Sequence, residues 1–444
     1  MLPLSPTGNM ERVSLEIVPP DVRAIARKLH EGGFGVWFVG GALRDFLLGR
    51  RPKDWDLATS ASPGAVIELF PRVIPLGLRH GTVCVHWNAA EVEVTSIPLG
   101  ESGGILSDLG RRDFTVNALA LAYPDGILLD PHQGLRDLRS KVLRAVGDAG
   151  SRFREDPLRI IRACRFVSQY GFRLHGKTFQ SLKDEVGGLE LVARERIRDE
   201  VFKLIEGEEV FGAFELMRHG GVLDKLLPEL VGVSGLEGDH RHQRDVTMHT
   251  LAVVGTCPPR LTLRLAALFH ELGGCSVEEE PACPAHAKAS FHVSVAVAIK
   301  VLTRWRASGM QVREVAALVA NQVPKGIRGW SAGAIRRFIA HWGPASFEDV
   351  LELARADRIS SENADLLMEE LSWFRSRAEA ILGSGEALTV RQLAVDGRDV
   401  MDVLGLQPGP AVGGMLNQLL GRVLEDPSLN ERKILMDFLK KTRL

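Results

Sequence analysis

A pair of adjacent glycines at the end of an apolar run is the feature that most constrains how this chain folds. The run Val36–Val39 predicts a strand, and the segment Ala42–Leu48 predicts the helix that follows it. Gly40 and Gly41 lie at the junction, where backbone N–H groups at a helix N-terminus can approach phosphate oxygens. Arg44 adds a positive charge one turn into the helix. The unit predicts an anion-binding turn, although a plain tight turn explains the glycines when they are taken alone.

Two carboxylates follow this unit in the segment 53–58, which predicts a second strand. Because side chains two residues apart share a strand face, Asp54 and Asp56 are expected to point together toward solvent or a ligand. Convergent carboxylates suit Mg²⁺, and metal held there could activate a hydroxyl and neutralise a leaving pyrophosphate. The alternating segment Glu91–Thr95 offers a third carboxylate. We assign that catalytic role to Glu93, with an exposed strand face as the alternative.

A second charged motif, Arg111-Arg112-Asp113, enters what the pattern predicts to be another strand. Guanidinium groups suit phosphate or ribose oxygens, and a carboxylate beside them binds a ribose hydroxyl or fixes an arginine. We therefore assign Arg112 and Asp113 to nucleotide binding. A surface ion-pair turn is the alternative.

A third motif places a carboxylate and three arginines at a helical spacing of three: Asp156, Arg159, Arg162 and Arg165. A carboxylate beside a guanidinium can imitate a base. It accepts from the amino group of cytosine or adenine, while the guanidinium donates to the neighbouring ring nitrogen or carbonyl. Uracil and guanine present the reverse polarity. The alternative is structural, because Asp followed by Pro157 is also a helix N-cap.

Composition adds few constraints. The chain has 444 residues, 45% of them hydrophobic, which allows two to four domains. No apolar run approaches the roughly 20 residues that span a bilayer, and the first thirty residues lack a signal-type apolar core, so we expect a cytoplasmic protein without a membrane partner. Five cysteines fit reduced thiols better than a disulfide framework. Nothing in the sequence fixes the oligomeric state.

A net charge of −1 does not by itself indicate a nucleic-acid partner, so phosphate binding would depend on local basic clusters. Such clusters lie at Arg152, Arg154, Arg159, Arg162, Arg165 and Arg173, at Lys325, Arg328, Arg336 and Arg337 interleaved with Trp330 and Phe338, and at Arg432, Lys433, Lys440, Lys441 and Arg443. Solvated helix faces are the alternative for these groups.

Taken in order, the motifs resemble those of the class II tRNA nucleotidyltransferase and poly(A) polymerase family. The matching stretches are GGALRDFLLGR, KDWDLAT, RRDFTVNALA, DPHQGLRDL, REDPLRIIRACRFVSQYGF and ARERIRDEVFKLI, which fall between about residues 30 and 230. The resemblance implies an α+β fold, in which a polymerase beta-like nucleotidyltransferase head with a mixed sheet precedes all-helical parts. The expected domains are a head at 1–145, a neck with the base-template motif at 146–208, a body at 209–330 and an RNA-binding tail at 331–444.

The resemblance also implies roles for individual residues. It gives metal binding to Asp54 and Asp56, nucleotide binding to Gly41, Arg44 and Arg112, base reading to Asp156 and Arg159, and phosphate support to Arg162 and Arg165. Glu195, Arg196 and Glu200 match the last motif, which steadies the neck; surface ion pairs are the alternative. The implied cofactor is Mg²⁺, and the implied partners are CTP or ATP and tRNA, held at its acceptor stem and elbow through shape and phosphate contacts.

Members of the family add CCA, only CC, only the final A, or poly(A). In CCA- and A-adding members of the family, a flexible loop precedes the RRDFT motif. CC-adding members resemble them, but this loop is shorter. Here only the fourteen residues Ile97–Gly110 fill the interval, without the expected acidic and arginine-bearing sequence. We therefore expect addition of CC, with CCA addition, A addition and poly(A) synthesis as alternatives.

Farther along, the segments 245–250 and 265–272 resemble an HD phosphohydrolase domain. Because the His-Asp pair is replaced by His270-Glu271, we expect a degenerate site. The alternative is a metal held by Glu271 with His249, His270 and His286 or His292, with phosphohydrolase activity. A zinc site of Cys275, Cys283, His286 and His292 is disfavoured, since its spacing fits no usual module.

Overall fold

The computed structural model describes residues 12–52, 54–77, 81–97, 104–231, 240–272, 284–324, 326–361 and 363–442. The chain divides into two compact units, Met1–Pro228 and Glu229–Leu444. Among the described residues, no helix is both long and apolar enough to span a membrane.

A seven-stranded mixed sheet forms the centre of the first unit, as the sequence predicted. Its strands are β1 (Val36–Val39), β2 (Asp56–Thr59), β3 (Val73–Gly77), β4 (Thr82–Trp87), β5 (Ala90–Ser96), β6 (Ala120–Tyr123) and β7 (Leu128–Leu129). They lie in the order β3-β4-β5-β2-β1-β6-β7. Among the described strands of this sheet, β2 and β5 are the parallel pair, in a register that sets Asp56 beside Glu93. The sheet thus brings two of the predicted catalytic carboxylates onto neighbouring strands.

Helices cover the sheet and continue beyond it. The first unit contains α1 (Pro20–Glu31), α2 (Gly41–Leu47), α3 (Pro63–Leu69), α4 (Ile105–Gly110), α5 (Gly134–Arg139), α6 (Ala149–Glu155), α7 (Leu158–Tyr170), α8 (Gly176–Glu185), α9 (Arg194–Ile205), α10 (Val210–His219) and α11 (Val222–Leu226). The short strands β8 (Val142–Leu143) and β9 (Arg173–Leu174) form a parallel pair. Leu158, Ile161 and Phe166 of α7 are buried, and α7 ends where Gly171 adopts a positive φ of 65°.

The second unit is helical, as predicted for the C-terminal half. Its helices, with α12 crossing the boundary between units, are α12 (Pro228–Val231), α13 (His240–Thr256), α14 (Leu261–Phe269), α15 (Pro284–Arg304), α16 (Gly309–Ala320), α17 (Ala332–Trp342), α18 (Pro344–Ile359), α19 (Ala364–Gly383), α20 (Gly397–Leu404), α21 (Pro410–Glu425) and α22 (Arg432–Thr442). Trp330 and Phe338 pack edge to face on Phe374, with ring centroids 5.9 and 5.6 Å away. These two aromatics therefore contribute to packing within the unit.

Several sequence predictions of local structure were wrong at the ends of elements. Strand β2 begins at Asp56, opposite Val39 at the end of β1, so Asp54 precedes the strand. The Arg111–Asp113 motif enters a 3-10 turn at Thr115–Asn117, held by a hydrogen bond from Thr115 N to Arg144 O, and β6 begins only at Ala120.

The remaining differences lie at helix ends. Asp156 was expected to share a helical spacing with Arg159, but it lies between α6 and α7, where its Oδ1 accepts a hydrogen bond from Leu158 N at 3.2 Å. The 3.6-residue periodicity of residues 348–381 predicts one long helix. The segment forms two, because α18 ends in a turn in which Ser360 N donates to Ala356 O.

Candidate active site

The glycine turn leaves room for the side chains around it. Gly40 has a φ of +80°, and a Cβ placed on it would lie 2.9 Å from Asp56 Oδ2 and 3.4 Å from Arg112 Nη1. Any residue with a side chain would be strained there and would displace the carboxylate. Gly40 is therefore explained by the close approach of Asp56 and Arg112 to the backbone.

The carboxylates form a negative group at the start of β2. Burial, helped by the charges of Glu93 and Asp54 and opposed by Arg112, raises the pKa of Asp56 to about 6. Asp54 is exposed. Glu93 lies beside Asp56 on the neighbouring strand β5, as its partner in the strand register. Burial and like charge both disfavour an ionised Asp56, and a cation between the carboxylates would relieve this cost. The donor set fits a divalent metal, with all ligands oxygen.

Most of the predicted residues line one cavity of about 460 Å³. The lining contains Gly41, Arg44, Asp56, Arg112, Asp113, Asp156, Arg159, Arg162 and Arg165, all of them predicted, together with Gly40, Asn117, Leu158, Phe166 and Arg196. A volume of this size accepts a nucleotide-sized ligand. The cavity carries six arginines, which suit a polyanion.

A second cavity of about 630 Å³ is also lined by Asp56. Gly41, Arg44 and Arg165 line both cavities, whereas Asp54 is found only in the second. Glu93 is not among the described residues that line either one. The two predicted metal ligands thus contact the same cavity, and Asp56 connects it to the first.

Arg44 is held in place by partners that the sequence did not reveal. It is buried, and its guanidinium donates to Asn117 Oδ1 and to Tyr170 Oη, each at 2.6 Å. The same group lies 4.5 Å from the centre of the Tyr170 ring and pairs with Asp45 at 2.8 Å. These contacts fix Arg44 between α2, the 3-10 turn and α7. A ligand in the cavity would meet a positioned guanidinium.

A chain of ion pairs joins the RRDFT motif to α7 and α9. Arg162 Nη2 donates to Asp113 Oδ2 at 2.6 Å, and Arg162 Nη1 lies 3.5 Å from Glu200 Oε1. Glu200 also pairs with Arg165 Nε at 3.0 Å. Burial alone would raise the pKa of Asp113, but Arg162, Asn117 and the Phe114 N–H hold it below its ordinary value. Of the two roles considered for Asp113, the structure therefore displays the fixing of an arginine.

The predicted base-reading pair also has partners within the unit. Asp156 Oδ2 accepts from Arg196 Nη2 at 2.9 Å. Arg159 donates to Arg111 O at 3.0 Å and contacts Glu155 Oε2 at 3.2 Å. Both side chains nevertheless line the first cavity, so a base entering it could reach them.

Arg112 lies at the wall of the first cavity, where Asp108 of α4 binds it at 3.1 Å. Asp108 was not predicted, although its position four residues before Arg112 is the spacing of a helical ion pair. The contact ties the position of Arg112 to α4, which forms the end of the short interval before RRDFT.

The basic groups of the second unit are largely paired. Arg336 is mostly buried and bonds Glu386, Arg337 contacts Glu425, and Arg328 Nη2 lies 3.0 Å from Glu369 Oε2. Lys325 lies outside the described residues. These contacts support a structural role for Arg336 in particular, and RNA binding by the other basic residues stays a prediction.

Comparisons with known proteins agree with the geometry. The family profile described as "Poly A polymerase head domain" matches residues 36–144, "Probable RNA and SrmB- binding site of polymerase A" matches 171–232, and "tRNA nucleotidyltransferase domain 2" matches 285–439. A CCA-adding enzyme of Lactococcus lactis subsp. cremoris strain SK11 is 29% identical over 449 aligned residues, covering 98% of each chain. One from Lactobacillus helveticus strain DPC 4571 is 41% identical over 206 residues, covering 43% of this chain and 51% of its own.

Among solved structures, the Bacillus stearothermophilus CCA-adding enzyme in complex with CTP is similar over almost the whole chain. The TM-score is 0.70 at 28% identity, and the match covers 96% of this chain and 98% of that one. The Thermotoga maritima CCA-adding enzyme complexed with tRNA shares the fold, with a TM-score of 0.59 at 22% identity. The α+β architecture of head and helical parts is thus confirmed by an independent structure.

Proposed function

The chain belongs to the class II tRNA nucleotidyltransferase and poly(A) polymerase family, and we propose that it adds two CMP residues from CTP to the 3′ end of tRNA. The observation that carries the proposal is the first cavity. It holds Asp56, the arginines and the base-reading pair Asp156 and Arg159 around one nucleotide-sized space. Similarity to a CCA-adding enzyme in complex with CTP supports the use of CTP in this proposal.

The reaction is attack of the RNA 3′ hydroxyl on the α-phosphate of CTP, with pyrophosphate as the leaving group. We place the triphosphate against Arg44, Arg112 and the α7 arginines, since guanidinium groups bind phosphate oxygens in pairs. We place the 3′ end of the RNA in the second cavity, where Arg50 and Arg51 add positive charge beside Asp54. The hydroxyl and the α-phosphate would then meet at Asp56, the carboxylate that lines both cavities.

Asp54 and Asp56 would hold the divalent metal, with Glu93 as a third carboxylate behind them. Mg²⁺ fits the all-oxygen donor set. When bound, it would lower the pKa of the attacking RNA 3′ hydroxyl and neutralise charge on the departing pyrophosphate. The family in general uses divalent metal ions, and Mg²⁺ is our choice among them.

Specificity for cytosine is assigned to Asp156 and Arg159. The carboxylate accepts from the exocyclic amino group, and the guanidinium donates to the ring edge beside it. Adenine presents a similar edge, so the pair alone does not choose between CTP and ATP. The short interval before RRDFT, Ile97–Gly110, is the reason to choose CC addition; positions 98–103 of it lie outside the described residues.

Full CCA addition is the second candidate, because the curated relatives that align along the whole chain are CCA-adding enzymes. A direct test offers tRNA transcripts ending at the unpaired base, at C and at CC, with each NTP separately. We expect two CMP additions, no AMP addition to the CC transcript, and no long tails. AMP added to the CC transcript would establish CCA addition instead, and long A tails on arbitrary RNA would indicate poly(A) synthesis.

Base reading can be tested with Asp156→Asn. The amide oxygen still accepts from Leu158 N, but the amide N–H₂ now donates toward the O4 carbonyl of uracil. Since a hydrogen bond to a charged group is worth about 1.5–3 kcal/mol, we expect discrimination of CTP against UTP to fall by about 10- to 100-fold in kcat/KM.

Arg196→Ala is the matched control for that substitution. It removes the ion pair with Asp156 and keeps the carboxylate, so discrimination should stay close to that of the wild type. If Asp156→Asn discriminates as well as Arg196→Ala does, Asp156 is a helix cap and not a base reader.

The helical part that follows is proposed to bind the tRNA acceptor stem and elbow. The proposed division keeps the head at 1–145, the neck at 146–208, the body at 209–330 and the tail at 331–444. Contacts would be made with phosphates and helix shape, because every tRNA must be accepted whatever its sequence.

A further inference from the structure

Four side chains of the second unit converge at a place unrelated to the nucleotide cavity. His249 comes from α13, His270 and Glu271 follow the last residue of α14, and Asp357 comes from α18. One donor atom from each lies within 4.8 Å of the donor atoms of the other three. Elements distant in sequence thus bring two imidazoles and two carboxylates to one point.

The orientation of His270 is the first reason to regard this point as a ligand site. The residue is 1% exposed, and its Nδ1 lies 2.7 Å from the carbonyl oxygen of Ala267, to which it donates. Its Nε2 is buried and has no hydrogen-bond partner among the described residues, and it lies 3.9 Å from Asp357 Oδ1. A buried polar atom without a partner is costly, so something absent from the protein chain is expected to satisfy it.

His249 repeats the same arrangement. Its Nδ1 lies 3.1 Å from Ser360 O, and its Nε2 lies 3.2 Å from Asp357 Oδ1 and 3.6 Å from Glu271 Oε2. An imidazole that donates from Nδ1 to a backbone carbonyl presents the Nε2 lone pair on its other side, which is the usual arrangement of a metal-bound histidine. A protonated His249 would satisfy Asp357, but it would leave His270 Nε2 without a partner.

We propose that His249, His270, Glu271 and Asp357 bind one divalent cation of the Mn²⁺ to Zn²⁺ series, separate from the Mg²⁺ of the nucleotidyl-transfer site. Ligand atoms about 2.1 Å from one ion lie about 3 to 4 Å apart, and the separations of 3.2, 3.6 and 3.9 Å agree with this spacing. Two imidazoles with two carboxylates favour transition metals over Mg²⁺ and Ca²⁺.

One side of the site is open to solvent. The side chain of Glu271 is 37% exposed, whereas those of His249 and Asp357 are 17% and 12% exposed. An ion can therefore enter past Glu271 and keep a water molecule on that side.

The ligand set differs from the one that the sequence suggested. His249, His270 and Glu271 were singled out, but the fourth ligand was sought at His286 or His292, and the set was expected to be degenerate. Asp357 supplies the fourth donor instead. His292 is exposed, and the side chain of His286 lies outside the described residues.

The test measures Mn²⁺ binding by the electron paramagnetic resonance signal of the free ion. Full-length protein carrying Asp54→Ala and Asp56→Ala is the background, so that the nucleotidyl-transfer site does not contribute. Mn²⁺ binds thiols poorly, which excludes a contribution from the cysteines. We expect one Mn²⁺ per chain and a higher melting temperature in its presence.

Glu271→Gln and Asp357→Asn should each weaken Mn²⁺ binding by at least about tenfold. Glu314→Gln, which changes an exposed carboxylate of α16, should bind as the background does. Glu271→Gln changes the most exposed ligand, so it decides the question if Asp357→Asn fails to fold. Absence of Mn²⁺ binding by the background protein, or binding unaffected by Glu271→Gln, would overturn the site. Either of these results would leave the proposed CMP addition standing, because that activity is measured separately on the wild-type chain.

Discussion

Replacing Asp54 and Asp56 together with alanine should lower CMP incorporation by at least about a thousandfold, because the metal supplies several kcal/mol of transition-state stabilisation. The measurement is incorporation of labelled CMP into a tRNA transcript lacking its 3′ end, at saturating CTP and Mg²⁺. Loss of the carboxylates removes the oxygen donors that fit a divalent ion, while the arginines of the cavity stay in place.

The same substitutions should leave the metal-free protein folded. Burial, with Glu93 and Asp54, raises the pKa of Asp56 to about 6, so the charge that Asp56 carries at neutral pH destabilises the folded chain relative to the unfolded one. Removing that charge is therefore not expected to lower the melting temperature of metal-free protein. Asp125→Ala, which changes an exposed carboxylate of the same unit, is the matched control and should keep full activity. Retained activity in the double variant would refute the metal assignment.

The sequence predicted those parts of the site that depend on neighbouring residues. The strand, glycine turn and helix from Val36 onward follow from local periodicity and from the freedom of Gly40, and the structure confirms them. The ends of elements were less predictable. Strand β2 starts where it can pair with β1, and that pairing is a property of the sheet, not of the segment itself.

Partners far apart in the chain were not predictable from spacing. Arg44 bonds Asn117 and Tyr170, which lie 73 and 126 residues away. Asp357 meets His249 across 108 residues. Each contact depends on how helices pack, so a single sequence offers the charged residue but not the group that it meets.

Arg162 was predicted to support phosphates, but its contacts indicate an additional structural role with a large effect. Arg162→Ala would leave Asp113, which is buried, and Glu200 without their shared guanidinium. Removing one member of a buried ion pair costs about 3–5 kcal/mol, so we expect the free energy of unfolding to fall by about 3 kcal/mol. Urea titration followed by circular dichroism measures the change, and hydrogen exchange across Leu158–Tyr170 locates it.

The dependence of this loss on pH separates the two roles. Because its pKa is held below the ordinary value of 3.8, Asp113 stabilises the folded protein above pH 3.8, and that stability is lost as the pH falls through the lowered pKa. The difference in stability between the wild type and Arg162→Ala should therefore be complete at neutral pH and shrink in acid. Arg173→Ala, an exposed arginine just beyond α7, should change stability by less than about 0.5 kcal/mol. If Arg162→Ala raises KM for CTP yet is as stable as Arg173→Ala, then Arg162 acts only on the ligand, and the ion-pair chain does not hold α7 to the RRDFT motif.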